Sequence, residues 1–200
     1  MPLRRVRETA VRLRDSAAGL LVRARVWPLA LTVLGLLLAL VSGWLFYKGR
    51  FAWAALVLGF SGLCDLFDGA VARLSGRVTP FGAFLDSTVD RLSDAAILGG
   101  ILLYYSARQA DTYVVLAYLA LVGSFLVSYT RARAECLVDH CRVGVFQRPA
   151  RTLVLVFAGF AGLLPAALWV LAAATGLTVA QRVIYVRRSL GKVGGKYPDS

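Results

Sequence analysis

The sequence predicts an all-α integral membrane protein with six transmembrane helices and an N-terminal amphipathic juxtamembrane helix. The 200-residue chain is 58% hydrophobic, has a mean hydropathy of +0.68 and contains only 17% charged residues, whereas a typical soluble domain has about 25%. Its apolar residues also fall into long segments, each near the roughly 20 residues that a helix needs to cross a bilayer. The predicted spans are residues 28–47, 52–74, 81–106, 112–134, 147–164 and 166–186.

A basic segment, residues 1–26, precedes the first span. Its seven arginines are interleaved with apolar residues such as Val11 and Leu13. A basic helix with one apolar face is typical of a segment that lies on the membrane surface, and a solvated tail is the alternative. Residues 27–190 are expected to form the six-helix transmembrane domain, and residues 191–200 a flexible tail.

Basic residues lie mainly on one side of the predicted bundle. The breaks after the first, third and fifth spans contain only Lys48, Arg50 and Arg108, whereas the other side carries the N-terminal arginines and a basic C-terminal segment that includes Arg187 and Arg188. Because cytoplasmic loops are enriched in Lys and Arg, we expect a multi-pass cell-membrane protein with both termini in the cytoplasm. The net charge of +12 then favours anionic lipids and anionic substrates as partners, and no nucleic acid is expected.

Four aspartates interrupt the second and third apolar segments. Residues three or four apart share a helix face, so Asp65 lies beside Asp68, and Asp86 beside Asp90. The short link at 75–79 predicts an antiparallel hairpin that brings both pairs together near its cytoplasmic end. Four close carboxylates require cations in such a setting, and oxygen ligands suit Mg²⁺ or Mn²⁺ rather than zinc. Two such ions could neutralise a pyrophosphate.

Two glycines and an arginine lie in register with these acids. Gly69 and Gly82 allow close approach of a helix backbone or a ligand. Arg73, one turn beyond Gly69, is placed to bind a phosphate. From Asp65 to Asp90 the full pattern reads D-x2-D-G-x2-A-R-x8-G-x3-D-x3-D.

This pattern resembles the signature of the CDP-alcohol phosphatidyltransferase family, and every defining position is present. The similarity extends over about residues 27–155. It implies a six-helix membrane fold, usually a homodimer, with a polar cavity open to the cytoplasm. Members of the family transfer a substituted phosphate group between a CDP-linked donor and an alcohol, and release CMP.

The resemblance also implies roles for individual residues. The ligands of two Mg²⁺ or Mn²⁺ ions would be Asp65, Asp68, Asp86 and Asp90. Asp90 would in addition be the catalytic general base that takes the proton of the acceptor hydroxyl. The CDP-linked lipid donor would contact Pro28, Thr32, Gly69, Ala72 and Arg73. The family often has an asparagine directly after the proline, and this chain has Leu29 there.

Four arginines bear on the identity of the acceptor. They bracket the fourth and fifth spans on the cytoplasmic side and are Arg131, Arg133, Arg148 and Arg151. Because arginine binds phosphate through two parallel hydrogen bonds, a phosphorylated polar alcohol is favoured over a neutral one.

The local sequences at 86–94, 128–135 and 143–151 resemble the phosphatidylinositol phosphate synthase branch of the family and its archaeal ether-lipid counterparts. This similarity implies inositol 1-phosphate as the acceptor. Gln147 stands where many members have glutamate, and glycerol 3-phosphate, as in a phosphatidylglycerol phosphate synthase, is the alternative acceptor.

Other function classes also use buried acids. An ion or proton transporter contains intramembrane aspartates, but its acids are usually spread along a path across the bilayer, whereas these four lie near one face. An inactive scaffold would be unaffected by Asp90→Asn. Asp94 lies one turn beyond Asp90, and we expect it to pair with Arg91 or with a neighbouring helix.

Overall fold

The computed structural model describes residues 14–138, 143–144 and 146–192, and within these ranges the chain forms seven helices and no strand. The helices are α1 (residues 14–23), α2 (Pro28–Tyr47), α3 (Phe51–Leu74), α4 (Pro80–Ser106), α5 (Asp111–Glu135), α6 (Arg148–Ala161) and α7 (Leu164–Lys192). The predicted all-α class is confirmed.

Turn chemistry sets the ends of the helices that carry the aspartates. Helix α3 ends at Leu74, and Gly76 follows in the left-handed region with φ of 66°, which a residue without Cβ adopts without strain. Helix α4 begins at Pro80, and its N-cap Thr79 accepts a hydrogen bond of 3.0 Å from the backbone N–H of Gly82. A proline in the first turn needs no hydrogen-bond donor there. These signals produce the predicted break between the second and third spans.

Four helices are long and apolar enough to cross a membrane: α2, α3, α5 and the Leu164–Leu190 part of α7. Helix α4 has 27 residues, but Asp86, Asp90, Arg91 and Asp94 lower its hydropathy. Helix α6 has only 14 residues, fewer than the roughly 20 that a bilayer requires. Length and composition therefore support four of the six predicted spans directly.

Close backbone contacts join α2 to α3 and α4. A Cβ placed on Gly100 of α4 would lie 2.7 Å from the carbonyl carbon of Gly43 on α2, so the two backbones touch as they do where small residues line a helix crossing. Two hydroxyl groups link α2 to α3: Ser42 donates to the carbonyl of Ala54 at 2.9 Å, and Ser61 donates to that of Gly35 at 2.8 Å. These contacts hold α3 and α4, the two helices that carry the site aspartates, against α2.

Helix α6 reaches the acidic helices because it packs on α3. A Cβ on Gly159 would lie 2.7 Å from the Cβ of Ala55 and 2.9 Å from the carbonyl oxygen of Phe51, so the absence of a side chain at 159 permits the contact. At the N-terminal end of α6, Arg148 pairs with Asp65 of α3 and with Asp90 of α4, so this end lies beside both helices.

The chain termini are described in part. Ala18 of α1 is fully buried and packs with Ala70 and Val71 of α3, so α1 contacts the end of α3. Residues 1–13, half of the predicted amphipathic helix, lie outside the described residues, and its surface position stays a prediction. Helix α7 continues to Lys192, two residues into the predicted tail, and residues 193–200 also lie outside the described part.

Candidate active site

The structure brings three of the four predicted metal-binding aspartates together. Asp65 and Asp68 project from one face of α3, and Asp86 from the first turns of α4, so that one carboxylate oxygen from each lies within 4.8 Å of the others. Asp68 is the most buried of them, with 6% of its surface exposed. The hairpin and the helical spacing predicted this convergence.

Thr32 of α2 orients one of these carboxylates. Its hydroxyl donates a hydrogen bond of 2.8 Å to Oδ2 of Asp68, and its Oγ1 also lies 3.2 Å from the carbonyl oxygen of Pro28. Residues that contact a ligating carboxylate from behind fix its direction. Thr32 was expected to contact the CDP-linked donor, and the structure places it directly against the acid cluster.

Arg148 carries the positive charge nearest to the acids. Its Nη1 lies 2.7 Å from Oδ1 of Asp65 and also pairs with Oδ1 of Asp90. Asp90 does not belong to the group of three carboxylates found among the described residues, although it shares Nη1 of Arg148 with Asp65. One guanidinium from α6 therefore joins an acid of α3 to an acid of α4.

A second ion pair lies one helical turn deeper. Nη2 of Arg151 donates to Oδ2 of Asp94 at 2.6 Å, and Arg151 is only 3% exposed. Nε of Arg148 lies 4.0 Å from the other carboxylate oxygen of Asp94. Asp94 therefore pairs with a neighbouring helix, as one of the two expectations held, whereas Arg91 donates to the backbone carbonyl of Ser87 in its own helix.

Asp65, Asp68, Asp90 and Arg148 line one cleft of about 200 Å³, including its open mouth, whereas Asp86 does not line it. Its polar lining includes Thr32, Asp65, Asp68, Asp90, Ser93 and Arg148. The contribution of Ser93 was not predicted from the sequence. Its position three residues beyond Asp90, on the same helix face, is the signal that could have indicated it.

Three of the other residues expected to bind the donor lie on the last turns of α3, and the fourth, Pro28, begins α2. Arg73 is exposed, and its guanidinium lies over Gly69, since a Cβ on that glycine would be 3.4 Å from Nη1. Ala72 and Pro28 are half-buried. None of these four lines the described cleft, so the structure puts them beside the acid cluster rather than within it.

Arg131 and Arg133, two of the arginines expected to bind the acceptor, are exposed on the last turns of α5. Nε of Arg131 lies 2.9 Å from the carboxylate of Glu135, one turn further along the same helix. Neither arginine lines the described cleft. Of the four predicted acceptor arginines, the structure brings only Arg148 into it.

The sequence matches the CDP-alcohol phosphatidyltransferase family over residues 25–181. It is 40% identical over 187 residues to the phosphatidylinositol phosphate synthase of Streptomyces avermitilis, an alignment that covers 86% of this chain and 76% of that protein.

Its fold is similar to crystal structures of the phosphatidylinositol phosphate synthase of Mycobacterium tuberculosis. The structure with CDP-DAG bound has a TM-score of 0.77 and 32% identity, and the match covers 88% of this chain and 94% of that one. The complex with manganese and citrate also has a TM-score of 0.77 and 32% identity, with coverage of 87% and 88%.

Proposed function

The chain belongs to the CDP-alcohol phosphatidyltransferase family, and we propose that it transfers the phosphatidyl group of CDP-diacylglycerol to inositol 1-phosphate and releases CMP. The acid cluster carries this proposal, because Asp65, Asp68 and Asp86 converge within 4.8 Å beside a cleft that also contains Asp90. The relatives from Streptomyces avermitilis and Mycobacterium tuberculosis, both phosphatidylinositol phosphate synthases, support the choice of substrates.

The ligands of the cluster suit divalent metal ions. Carboxylate oxygens are the hard ligands that Mg²⁺ and Mn²⁺ prefer, and the manganese complex of the Mycobacterium tuberculosis relative supports such a site. Asp65, Asp68 and Asp86 would hold two ions between them, and Asp90 would complete the set once Arg148 moves from it. Bound ions would neutralise the pyrophosphate of the donor and make CMP a better leaving group.

Asp90 is the proposed general base. The acceptor hydroxyl oxygen attacks the phosphorus that bears the diacylglycerol, and the bond from this phosphorus to the bridging oxygen of CMP breaks. CMP leaves with the bonding electrons, and Asp90 takes the hydroxyl proton. The pairing of Asp90 with Arg148 suits this role, because an arginine that turns to meet the acceptor phosphate leaves the carboxylate able to accept a proton.

The CDP part of the donor is proposed to lie along the cytoplasmic end of α3. Gly69 and Ala72 present little side chain there, and the exposed guanidinium of Arg73 can bind a phosphate oxygen pair. Pro28 and Thr32 border the same region from α2, since Thr32 contacts Asp68 one residue before Gly69.

The acceptor phosphate is proposed to bind between α5 and α6. Arg148 lies in the cleft next to Asp90 and would contact the phosphate directly. Arg131 and Arg133, exposed at the end of α5, would attract it electrostatically and complete its ligands. Arg151 lies behind Arg148 and adds its positive charge from there.

The same proposal extends to the arrangement in the membrane. Three of the four charged residues of α4, Asp86, Asp90 and Asp94, belong to the acid cluster or pair with α6 rather than face lipid, so α4 can cross the bilayer together with the four apolar helices. Helix α6, about 21 Å long, would cross as part of the bundle because it packs on α3. We propose six spans within residues 27–190, an active site facing the cytoplasm at the cell membrane, and a homodimer.

The function is tested by CMP release from the purified protein in detergent with Mg²⁺ or Mn²⁺ and CDP-diacylglycerol. The acceptors compared are inositol 1-phosphate, glycerol 3-phosphate, free inositol and serine. We expect metal-dependent release with inositol 1-phosphate alone. CMP release with glycerol 3-phosphate instead would support the proposed transfer reaction but show that inositol 1-phosphate is not the acceptor. If folded protein releases CMP with none of the four acceptors, the proposal is contradicted.

A further inference from the structure

Arg148 and Arg151 begin the same helix but face different parts of the protein. Arg148 lines the cleft together with Asp65, Asp68 and Asp90. Arg151 lines a second cavity behind it, whose walls are largely apolar and include Leu58, Ile97, Leu98, Leu155 and Leu171. The guanidinium of Arg151 is therefore separated from the position proposed for the acceptor phosphate.

Asp94 lies between the two arginines. One carboxylate oxygen accepts from Nη2 of Arg151 at 2.6 Å, and the other lies 4.0 Å from Nε of Arg148. The side chains of Asp94 and Arg151 are 14% and 4% exposed, so each buried charge depends on the other for compensation. The Asp94–Arg151 ion pair is consequently held in place, and it can orient the neighbouring side chain of Arg148.

The guanidinium of Arg148 is bonded through Nη1 but not through Nε. Nη1 bonds to Asp65 and Asp90, whereas Nε is buried and has no hydrogen-bond partner among the described residues. A shift of about 1 Å toward Asp94 would give Nε a normal hydrogen bond. The Nη atoms would then be able to leave the two acids and point into the cleft.

We infer that Asp94 and Arg151 form a positioning pair that holds Arg148 for the acceptor phosphate, an inference that rests on the proposed function. When Arg148 leaves Asp65 and Asp90 to meet the phosphate, Asp94 receives its Nε and fixes the plane of the guanidinium. Arg151 fixes the direction of the Asp94 carboxylate through its hydrogen bond of 2.6 Å, and it does not touch the substrate.

The inference is tested by steady-state CMP release from full-length Asp94→Asn, Arg151→Gln and the double variant, with inositol 1-phosphate and CDP-diacylglycerol varied separately. Each single change is expected to raise the KM for inositol 1-phosphate by roughly 10- to 100-fold, as loss of an orienting partner commonly does, and to leave the KM for the donor unchanged. Because both substitutions break the same pair, the KM of the double variant for inositol 1-phosphate should not exceed the higher of the two single-variant values.

Two further variants keep the test decisive if an unpaired buried charge prevents folding. Asp94→Glu and Arg151→Lys retain both charges while altering the geometry, and they should raise the same KM by less. Ser124→Ala is the matched control, since Ser124 lines the same cavity as Arg151 and forms no contact in this proposal. It should leave both KM values at the wild-type level.

Three results would overturn the inference. A raised acceptor KM in Arg151→Gln but not in Asp94→Asn, with additive effects, would place Arg151 on the phosphate itself. A lowered unfolding temperature with unchanged KM values would make the pair purely structural, as would an equal effect of Ser124→Ala. Failure of the proposed function is distinguishable from all three, because wild-type protein would then show no turnover with inositol 1-phosphate.

Discussion

Nη1 of Arg148 lies 2.7 Å from Oδ1 of Asp65, so the first residue of α6 is joined by an ion pair to the acid cluster of α3. The same guanidinium pairs with Asp90 of α4. Arg148 is thus the nearest positive charge to the carboxylates that are proposed to bind metal ions and to accept a proton.

We expect Arg148→Gln to bind Mn²⁺ more tightly and to turn over inositol 1-phosphate less efficiently. Without the guanidinium, a divalent ion has no competing cation at Asp65, while the acceptor phosphate loses a charged hydrogen bond that contributes about 1.5–3 kcal/mol. The acceptor KM should rise by roughly 10- to 100-fold. Electron paramagnetic resonance titration with Mn²⁺ and steady-state CMP release measure the two effects.

The control for this substitution is Arg50→Gln, because Arg50 is exposed at the opposite end of α3. It should alter neither the Mn²⁺ affinity nor the acceptor KM. An Arg148→Gln protein with wild-type Mn²⁺ affinity would show that the arginine and the metal do not compete.

Asp90→Asn should abolish most of the turnover while the protein stays folded. The amide cannot take the proton of the attacking hydroxyl, and loss of a general base costs roughly 100- to 10,000-fold in rate. CMP release measures the loss, and Asp111→Asn is the matched control because Asp111 is exposed in the first turn of α5. Turnover near the wild-type rate in Asp90→Asn would remove Asp90 from the role of base.

Thr32→Val should weaken Mn²⁺ binding without unfolding the protein. Valine keeps the shape of the side chain but removes the hydroxyl that donates to Asp68 at 2.8 Å, and lost partners of this kind reduce metal affinity by roughly 10- to 100-fold. Titration with Mn²⁺ gives the affinity. Thr175→Val provides the comparison, because the Thr175 hydroxyl bonds to Leu171 in its own helix; equal affinities in the two variants would refute an orienting role for Thr32.

Gly100→Ala should destabilise the protein, whereas Gly99→Ala should not. A Cβ at 100 would lie 2.7 Å from the carbonyl carbon of Gly43, while a Cβ at 99 would meet no atom within 4 Å. Overpacking of this kind costs about 1–3 kcal/mol, and the opposing backbone of α2 cannot yield as a side chain could. Thermal unfolding in detergent compares the two variants, and equal unfolding temperatures would mean that the α2–α4 crossing is looser than the structure indicates.

Local signals in the chain were sufficient to predict most of the helices. The predicted span 28–47 coincides with α2, because Pro28 and Lys48 bound one uninterrupted apolar run. The span predicted at 52–74 begins one residue after α3, and the span predicted at 112–134 is one residue shorter than α5 at each end. The least regular region was 147–164, where α6 is only 14 residues long, because a positive-φ glycine at 162 ends it early.

The sequence predicted which acids of the site converge and named Arg148 as a site residue, but it did not predict the ion-pair partners of the arginines. Helical spacing put Asp65 beside Asp68 and across from Asp86, as observed. It could not predict that Arg148 would pair with Asp65, or that Arg151 would bond to Asp94, 57 residues away in the sequence. Periodicity identifies the face on which a residue lies, whereas the partner of that face depends on how the helices pack.

By itself, the sequence therefore determined the class of protein, the position of most of its helices, the acid pairs and the family. These depend on hydropathy, turn residues and residue spacing, which act over a few neighbouring residues. Only the tertiary structure decided which polar side chains meet: Asp90 with Arg148, Asp94 with Arg151, and Thr32 with Asp68. Such pairings arise where glycines let the helix backbones approach closely, and the register of those crossings is a property of the packed bundle.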